Sequence, residues 1–380
     1  MLIALTCRSL AVPGGRERDC LEIAAGLARL GHRVSLVTTA PPPGGLANAA
    51  ASGFKVAPLA GKGRSNHARA WNFALAFDAW RAANPVDTVI GFDWMFGLDF
   101  HYSADQPWHR RRGLRALLPR HRTYLALERS VFGPASETYI FFLARPQAEN
   151  YARLHHLPAH RHEVLPPFVR SDRGLPEEFY GARERVRREL GIPPGHAVLI
   201  HVALYDLQKG ADRIVDAMAE LPRANLVCVG LQNTGRIEAL AARRGIAGRV
   251  RTVGYTTDVA GLIGAADLMV HPARVETTGS VILESLLYGT PVIATAVCGY
   301  AEHIRHARAG VVVEEPFDVG RLRQAIASSL ESAALDEMRR NARTYAGRIA
   351  ATFGMDAITE AIARTVARRA KTRCGGHRDG

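Results

Sequence analysis

The stretch from His271 to Glu284 holds the residues best suited to chemistry: two carboxylates, Glu276 and Glu284, around Gly279. Leu268 to His271 reads as a strand. A loop then carries Glu276, and a helix opens near Gly279-Ser280, runs to Tyr288 and stops at Gly289. A helix start offers unpaired backbone N–H groups and partial positive charge, which suit a phosphate. Gly279 lets such a group approach the backbone closely, between Thr278 and Ser280. Glu276 stands where it can accept hydrogen bonds from sugar hydroxyls. Glu284 lies in an apolar run, where a carboxylate needs donors, and a ribose diol supplies two. Lys209, in Gln208-Lys209-Gly210, follows the carboxyl end of a strand, the edge at which open α/β sheets bind ligands, and provides a point charge for a diphosphate. Each residue alone reads better as a solvated charge; the combination points to a phosphate-and-sugar site.

Repeated βα units must position these groups. In the first half, strands are expected at Leu2 to Leu5, Val34 to Val37, Thr88 to Ile90 and Tyr139 to Leu143. After the loop Pro13-Gly14-Gly15, a helix is expected with Cys20, Ile23, Ala24, Leu27 and Leu30 on one face. Leu165-Pro166-Pro167 breaks the pattern. A second series follows, at Val198 to Val202, Leu226 to Val229, Val250 to Val253, Leu268 to His271, Val292 to Ala294 and Val311 to Val313. The expected fold is α/β: two doubly wound, Rossmann-like domains, residues 1–168 and 169–349, facing across a cleft.

Length agrees with two cores, since 380 residues exceed one ordinary domain. A formal net charge of +13 favours anionic partners. Five scattered cysteines without a Cys-x-x-Cys pair argue for a reducing, cytoplasmic setting and against a disulfide framework or zinc site. No run of apolar residues is long enough to span a bilayer, and the N-terminus lacks the pattern of a signal peptide. A nucleic-acid binder is permitted by charge but unsupported by any signature motif. An NAD-linked oxidoreductase lacks its glycine fingerprint. A nucleotide-sugar epimerase of the same fold class remains an alternative.

The Glu-x7-Glu arrangement, Lys209-Gly210 and Gly14-Gly15 resemble the retaining GT-B glycosyltransferases of family 4. Thr295 to Ala301, Gly91 to Asp99 and Leu165-Pro166-Pro167 are similar to its members that build the lipopolysaccharide core of Gram-negative bacteria. The resemblance covers nearly the whole chain. It implies transfer of a hexose, glucose from UDP-glucose, onto a membrane-held glycolipid heptose at the inner face of the inner membrane, with no nucleic acid as partner. It implies that Lys209 neutralises the diphosphate, that Thr278, Gly279 and Ser280 present N–H groups, and that Glu276 and Glu284 hold the donor sugar and ribose. Gly14 and Gly15 would close on the donor, Arg173 would reach the phosphates, and Tyr255 would meet the base. The family also implies a last helix, about 350–375, that completes the N-terminal domain. The loop 203–208 departs from many relatives in lacking an arginine beside the lysine.

No Asp-x-Asp motif is present, so neither metal nor other cofactor is expected; positive charge and the helix start would stabilise the leaving group. Asp99 and His101 resemble the family's acceptor-side residues, and Asp19 is a third catalytic candidate. Asp19 reads equally as a charge complementing the first helix, and His101 reads better as a satisfied strand-end histidine than as a catalyst. Residues 105–133 alternate basic with apolar and aromatic groups, which suits contact with an anionic membrane surface through Trp108, Arg110, Arg111, Arg112, Arg115, Leu117 and Leu118.

Overall fold

The computed structural model describes residues 1–11, 14–41, 52–108, 113–169 and 183–375, without the side chains of residues 113 and 371–375. The chain divides into two compact units. One comprises Met1–Pro166 with Met355–Gly380; the other is Pro167–Gly354.

Among the described residues, the first unit holds one parallel sheet in the order β3-β2-β1-β4-β5-β6-β7. The strands are β1 (Leu2–Thr6), β2 (Arg33–Thr38), β3 (Lys55–Pro58), β4 (Thr88–Gly91), β5 (Phe100–Ser103), β6 (Tyr139–Phe142) and β7 (His162–Val164). The expected strands are present, and β3, β5 and β7 add to them. Both β3 and β7 are short edge strands, and Phe100-His101-Tyr102-Ser103 mixes polar with aromatic residues. None of the three forms the apolar run that marks a buried parallel strand. Helix Gly15–Arg29 buries Cys20, Ile23, Ala24 and Leu27 and packs against the final helix, Met355–Gly375. There Gly26 meets Thr359 so closely that a Cβ would lie 2.7 Å from its methyl carbon. Thr365 further ties the last helix to Glu163 at 2.8 Å.

The second unit holds a parallel sheet in the order β10-β9-β8-β11-β12-β13. Its strands are β8 (Ala197–Val202), β9 (Ala224–Val229), β10 (Val250–Val253), β11 (Leu268–His271), β12 (Val292–Thr295) and β13 (Gly310–Val313). All six expected strands are present; five are largely apolar runs, and edge strand β10, Val250-Arg251-Thr252-Val253, mixes apolar with polar residues. Leu199, Leu226, Leu268 and Ile293 from neighbouring strands join Ile214, Met218 and Ile326 from the helices in one core. Burying such side chains contributes about 1.5–3 kcal/mol each.

Both sheets use one device at their amino edge. Asp99, directly before β5, accepts from the Val89 N–H at 2.9 Å and from Arg81 at 3.1 Å. Asp267, directly before β11, accepts from the Val198 N–H at 2.7 Å and pairs with Arg183, Arg187 and Arg339. In each case a carboxylate satisfies the amide of the second residue of the neighbouring strand. For Asp267, burial opposes ionisation, but the three guanidinium groups and the amide outweigh it and lower the pKa.

Candidate active site

The sheet of the second unit changes direction between β8 and β11, and ligands of such sheets bind outside the carboxyl ends at that point. Lys209 follows β8 and Glu276 follows β11. Their side chains meet at 2.7 Å although 67 positions separate them. Gly210 makes this possible. Its φ is +81°, and a Cβ there would lie 2.1 Å from the Pro272 carbonyl oxygen, so only glycine lets the Lys209 turn press against the end of β11.

Glu276 has a second partner that sequence reasoning did not assign a role. His271, the last residue of β11, brings Nε2 to 3.0 Å from Glu276 Oε2, and the Thr277 N–H donates to Oε1 at 3.0 Å. Burial alone would raise the Glu276 pKa. The hydrogen bond and charge of His271, together with Lys209, overcome it and hold the carboxyl at about 2. Glu276 is therefore an ionised group that only accepts. Behind it, His201 of β8 lies against the His271 ring at 5.6 Å and turns Nδ1 to the Val270 carbonyl at 2.8 Å. Burial lowers the His201 pKa to about 3, so it is neutral and donates through Nδ1. The signal for both histidines was available: each is a polar residue inside an otherwise apolar strand.

Gly279 caps helix Ser280–Leu287 in the left-handed conformation, with φ +76°. A Cβ there would come within 3.1 Å of Ile282 and 3.3 Å of Glu276 Cγ, which places the helix start beside the carboxylate. The Thr278 carbonyl accepts from the Tyr300 N–H at 2.8 Å, joining this loop to the one after β12. Glu284 lies one turn beyond Ser280 on the same face and is buried. Lys209, Glu276 and the Gly279 start thus share one locus. Tyr255 stands after edge strand β10, 93% exposed. Arg173 lies outside the described residues.

In the first unit, Gly14 caps helix Gly15–Arg29, its N–H donating to Glu17 at 3.0 Å, and a Cβ on Gly15 would meet nothing. Asp19 is buried on the same helix and accepts from the Tyr102 hydroxyl at 3.0 Å. The three residues read as catalytic are not brought together. Asp99 stands at the amino edge of the sheet, tied to Val89 and Arg81, opposite the edge at which such sheets react. Its geometry is that of a strand clamp. His101 is buried with its ring edge-on to Phe132 at 5.5 Å. Burial lowers its pKa to about 3 against the pull of Asp93, so it is a neutral core group.

In the basic segment, Leu114, Leu117 and Leu118 are 85%, 66% and 49% exposed, and Arg115 lies among them. Trp108 does not join this apolar group. Its indole N–H donates to His121 at 2.9 Å, its backbone N–H to Glu128 at 2.8 Å, and its ring packs on Tyr124 at 4.6 Å. Arg110, Arg111 and Arg112 lie outside the described residues. No helix among the described residues is long and apolar enough to cross a membrane.

Two parallel α/β units, one carrying a lysine, a carboxylate and a glycine-capped helix start at its switch point, define a transferase of the GT-B type. Residues 182–348 match the family Glycosyl transferases group 1. Over 357 residues the chain is 32% identical to the lipopolysaccharide glucosyltransferase WaaG of Escherichia coli strain K12, covering 91% of this chain and 94% of that protein. The crystal structure of WaaG, a glycosyltransferase involved in lipopolysaccharide biosynthesis, superposes with a TM-score of 0.83 at 30% identity. That match covers 96% of this chain and 99% of WaaG. HepE from Anabaena, solved with UDP-glucose, shares the fold with a TM-score of 0.73 at 18% identity, over 97% of this chain and 100% of its own. The chain belongs to the group 1 glycosyltransferase family that includes WaaG, and it is a hexosyltransferase.

Proposed function

We propose that this chain is a retaining glucosyltransferase that moves glucose from UDP-glucose onto the heptose of a lipopolysaccharide-type glycolipid. The observation that carries this reading is the convergence of Lys209, Glu276 and the Gly279 helix start at the switch point of the second sheet. The similarity to a lipopolysaccharide glucosyltransferase supports the sugar and the acceptor class.

In this reading the diphosphate lies between the Lys209 ammonium and the amides around Thr278, Gly279 and Ser280. Both stabilise the charge that develops as the C1–O bond to phosphate breaks. Glu276, held ionised by His271 and Lys209, grips the sugar hydroxyls. Glu284 serves the ribose and Tyr255 meets the base. The acceptor oxygen bonds to C1 on the face the diphosphate leaves, and its proton passes to a phosphate oxygen. This chemistry depends on positioning rather than on a protein nucleophile, and it calls for neither metal nor cofactor. Asp19, at the carboxyl edge of the first sheet, remains the acceptor-side candidate. Leu117 and Leu118, with Arg115 beside them, rest on the anionic inner face of the inner membrane.

Calorimetric titration with UDP-glucose, GDP-glucose and ADP-glucose, followed by transfer to a core glycolipid, tests the proposal. Preferential binding of UDP-glucose and acceptor-dependent release of UDP with retained anomeric configuration are expected. Binding of none of the three, or conversion of donor without acceptor, refutes it.

A further inference from the structure

Arg274 stands two residues before Glu276, on the loop after β11, and its contacts run to the other loop of the site. That loop carries Lys209 as the last residue of a four-residue helix, Asp206–Lys209. A helix leaves its last carbonyls without partners of its own, and one so short has little else to hold it. Arg274 adds partners for two of them. Its backbone N–H donates to the Gln208 carbonyl at 2.9 Å, and its guanidinium donates to the Leu207 carbonyl at 2.6 Å. The same guanidinium forms a two-pronged pair with Asp212, at 2.7 and 2.6 Å, on helix Ala211–Met218 just beyond Gly210. One arginine thus grips the chain before and after Lys209. The Lys209 ammonium meanwhile lies 3.4 Å from the Val275 carbonyl and 2.7 Å from Glu276, the two residues that follow Arg274.

Stability does not account for this arrangement. The Arg274 side chain is 39% exposed, and an ion pair that solvent reaches contributes little to folding. Nor does the end of β11 depend on it. Arg213 donates to the Pro272 and Ala273 carbonyls at 3.0 and 3.2 Å, and the Thr295 hydroxyl donates to Ala273 at 2.8 Å. What Arg274 adds is a link from the turn of Lys209 to the loop of Glu276, made by a planar fork that fixes direction as well as distance. The loop 203–208 has no arginine of its own, so the charge that this turn offers a diphosphate depends on where Lys209 is held.

We propose that Arg274 is a positioning residue for the transfer: by clasping Asp212 and the carbonyls of Leu207 and Gln208, it holds the Lys209 ammonium against Glu276, where both meet the donor. The assignment rests on the donor-site reading above. A shift of about 1 Å in a group that stabilises the leaving charge costs up to roughly a hundredfold in rate.

The test uses the full-length enzyme, UDP as the probe in calorimetry, and UDP-glucose with a deacylated core acceptor for transfer. Arg274→Gln should weaken UDP about tenfold and lower kcat by at least as much, with KM for UDP-glucose changed less, because the phosphate charge is greater in the transition state than in the bound donor. Arg274→Lys keeps the charge but not the fork and should recover little of either loss. In a Lys209→Met background, Arg274→Gln should move UDP affinity by less than about twofold, since no ammonium is left to place. The urea midpoint of the second unit should hardly change in either Arg274 variant.

Unchanged kcat and UDP affinity in Arg274→Gln overturn the proposal, as does full activity in Arg274→Lys. A loss of UDP affinity that persists undiminished beside Lys209→Met also overturns it, because Arg274 would then act independently of the lysine. A lowered urea midpoint with native kcat in the folded protein would leave Arg274 a stabilising role alone and sink the proposal. Should the unaltered enzyme bind no UDP, the donor-site reading fails and takes this assignment with it, a result that none of the variant comparisons can produce.

Discussion

Replacing Glu276 by glutamine keeps the shape of the side chain and removes its charge. The carboxyl pKa falls from 4.5 to about 2 in the folded protein. That difference of roughly 2.5 units, at about 1.4 kcal/mol each, makes the ionised form worth about 3 kcal/mol to the fold. A group whose folded pKa is depressed contributes stability that is fully present above its unfolded value. The contribution disappears as pH falls through the folded value. Between pH 5 and 8 Glu276 itself therefore stays ionised in the folded protein. Glu276→Gln should destabilise the second unit throughout that window, by up to about 3 kcal/mol. Urea unfolding followed by circular dichroism, with the transitions of the two units fitted separately, measures the difference at pH 5, 6, 7 and 8. A loss well under 1 kcal/mol would refute the claim that His271 and Lys209 hold the carboxylate ionised. So would a loss that shrinks steadily from pH 8 to 5.

Three further outcomes follow from the geometry. Lys209→Met should weaken UDP binding by about ten- to a hundredfold in calorimetry, the range of one charge-assisted contact to phosphate, with native circular dichroism; unaltered affinity would remove Lys209 from the phosphate site. Asp99→Asn should lower the unfolding midpoint of the first unit, because the clamp on Val89 and Arg81 is weakened, yet leave kcat within about twofold; a collapse of kcat in a folded variant would return Asp99 to the chemistry. Leu117→Ser with Leu118→Ser should reduce sedimentation with anionic vesicles and leave transfer to a deacylated acceptor intact; unchanged sedimentation would discard the membrane contact.

What the sequence by itself determined about this protein is its local grammar. Most strands of the second unit were legible because they are buried in the sheet and so are largely apolar, while edge strand β10, Val250-Arg251-Thr252-Val253, mixes apolar with polar residues. The start of helix Ser280–Leu287 was legible because only glycine readily takes the φ of +76° at position 279. The same reading missed β3 and β7, short edge strands without such a run, and β5, whose polar residues break the pattern. Tertiary structure alone decided which side chains meet. Lys209 reaches Glu276 because β8 and β11 are neighbours and Gly210 lies against Pro272. His271 serves Glu276 from the end of a strand that reads as pure core. Asp99 points to structure rather than catalysis because it precedes β5 and so stands at the amino edge. Trp108 turns to His121 and Tyr124 where its spacing among arginines suggested a lipid surface. Periodicity is a property of a few consecutive residues, whereas these partnerships depend on strand order and register, which only the assembled sheets determine.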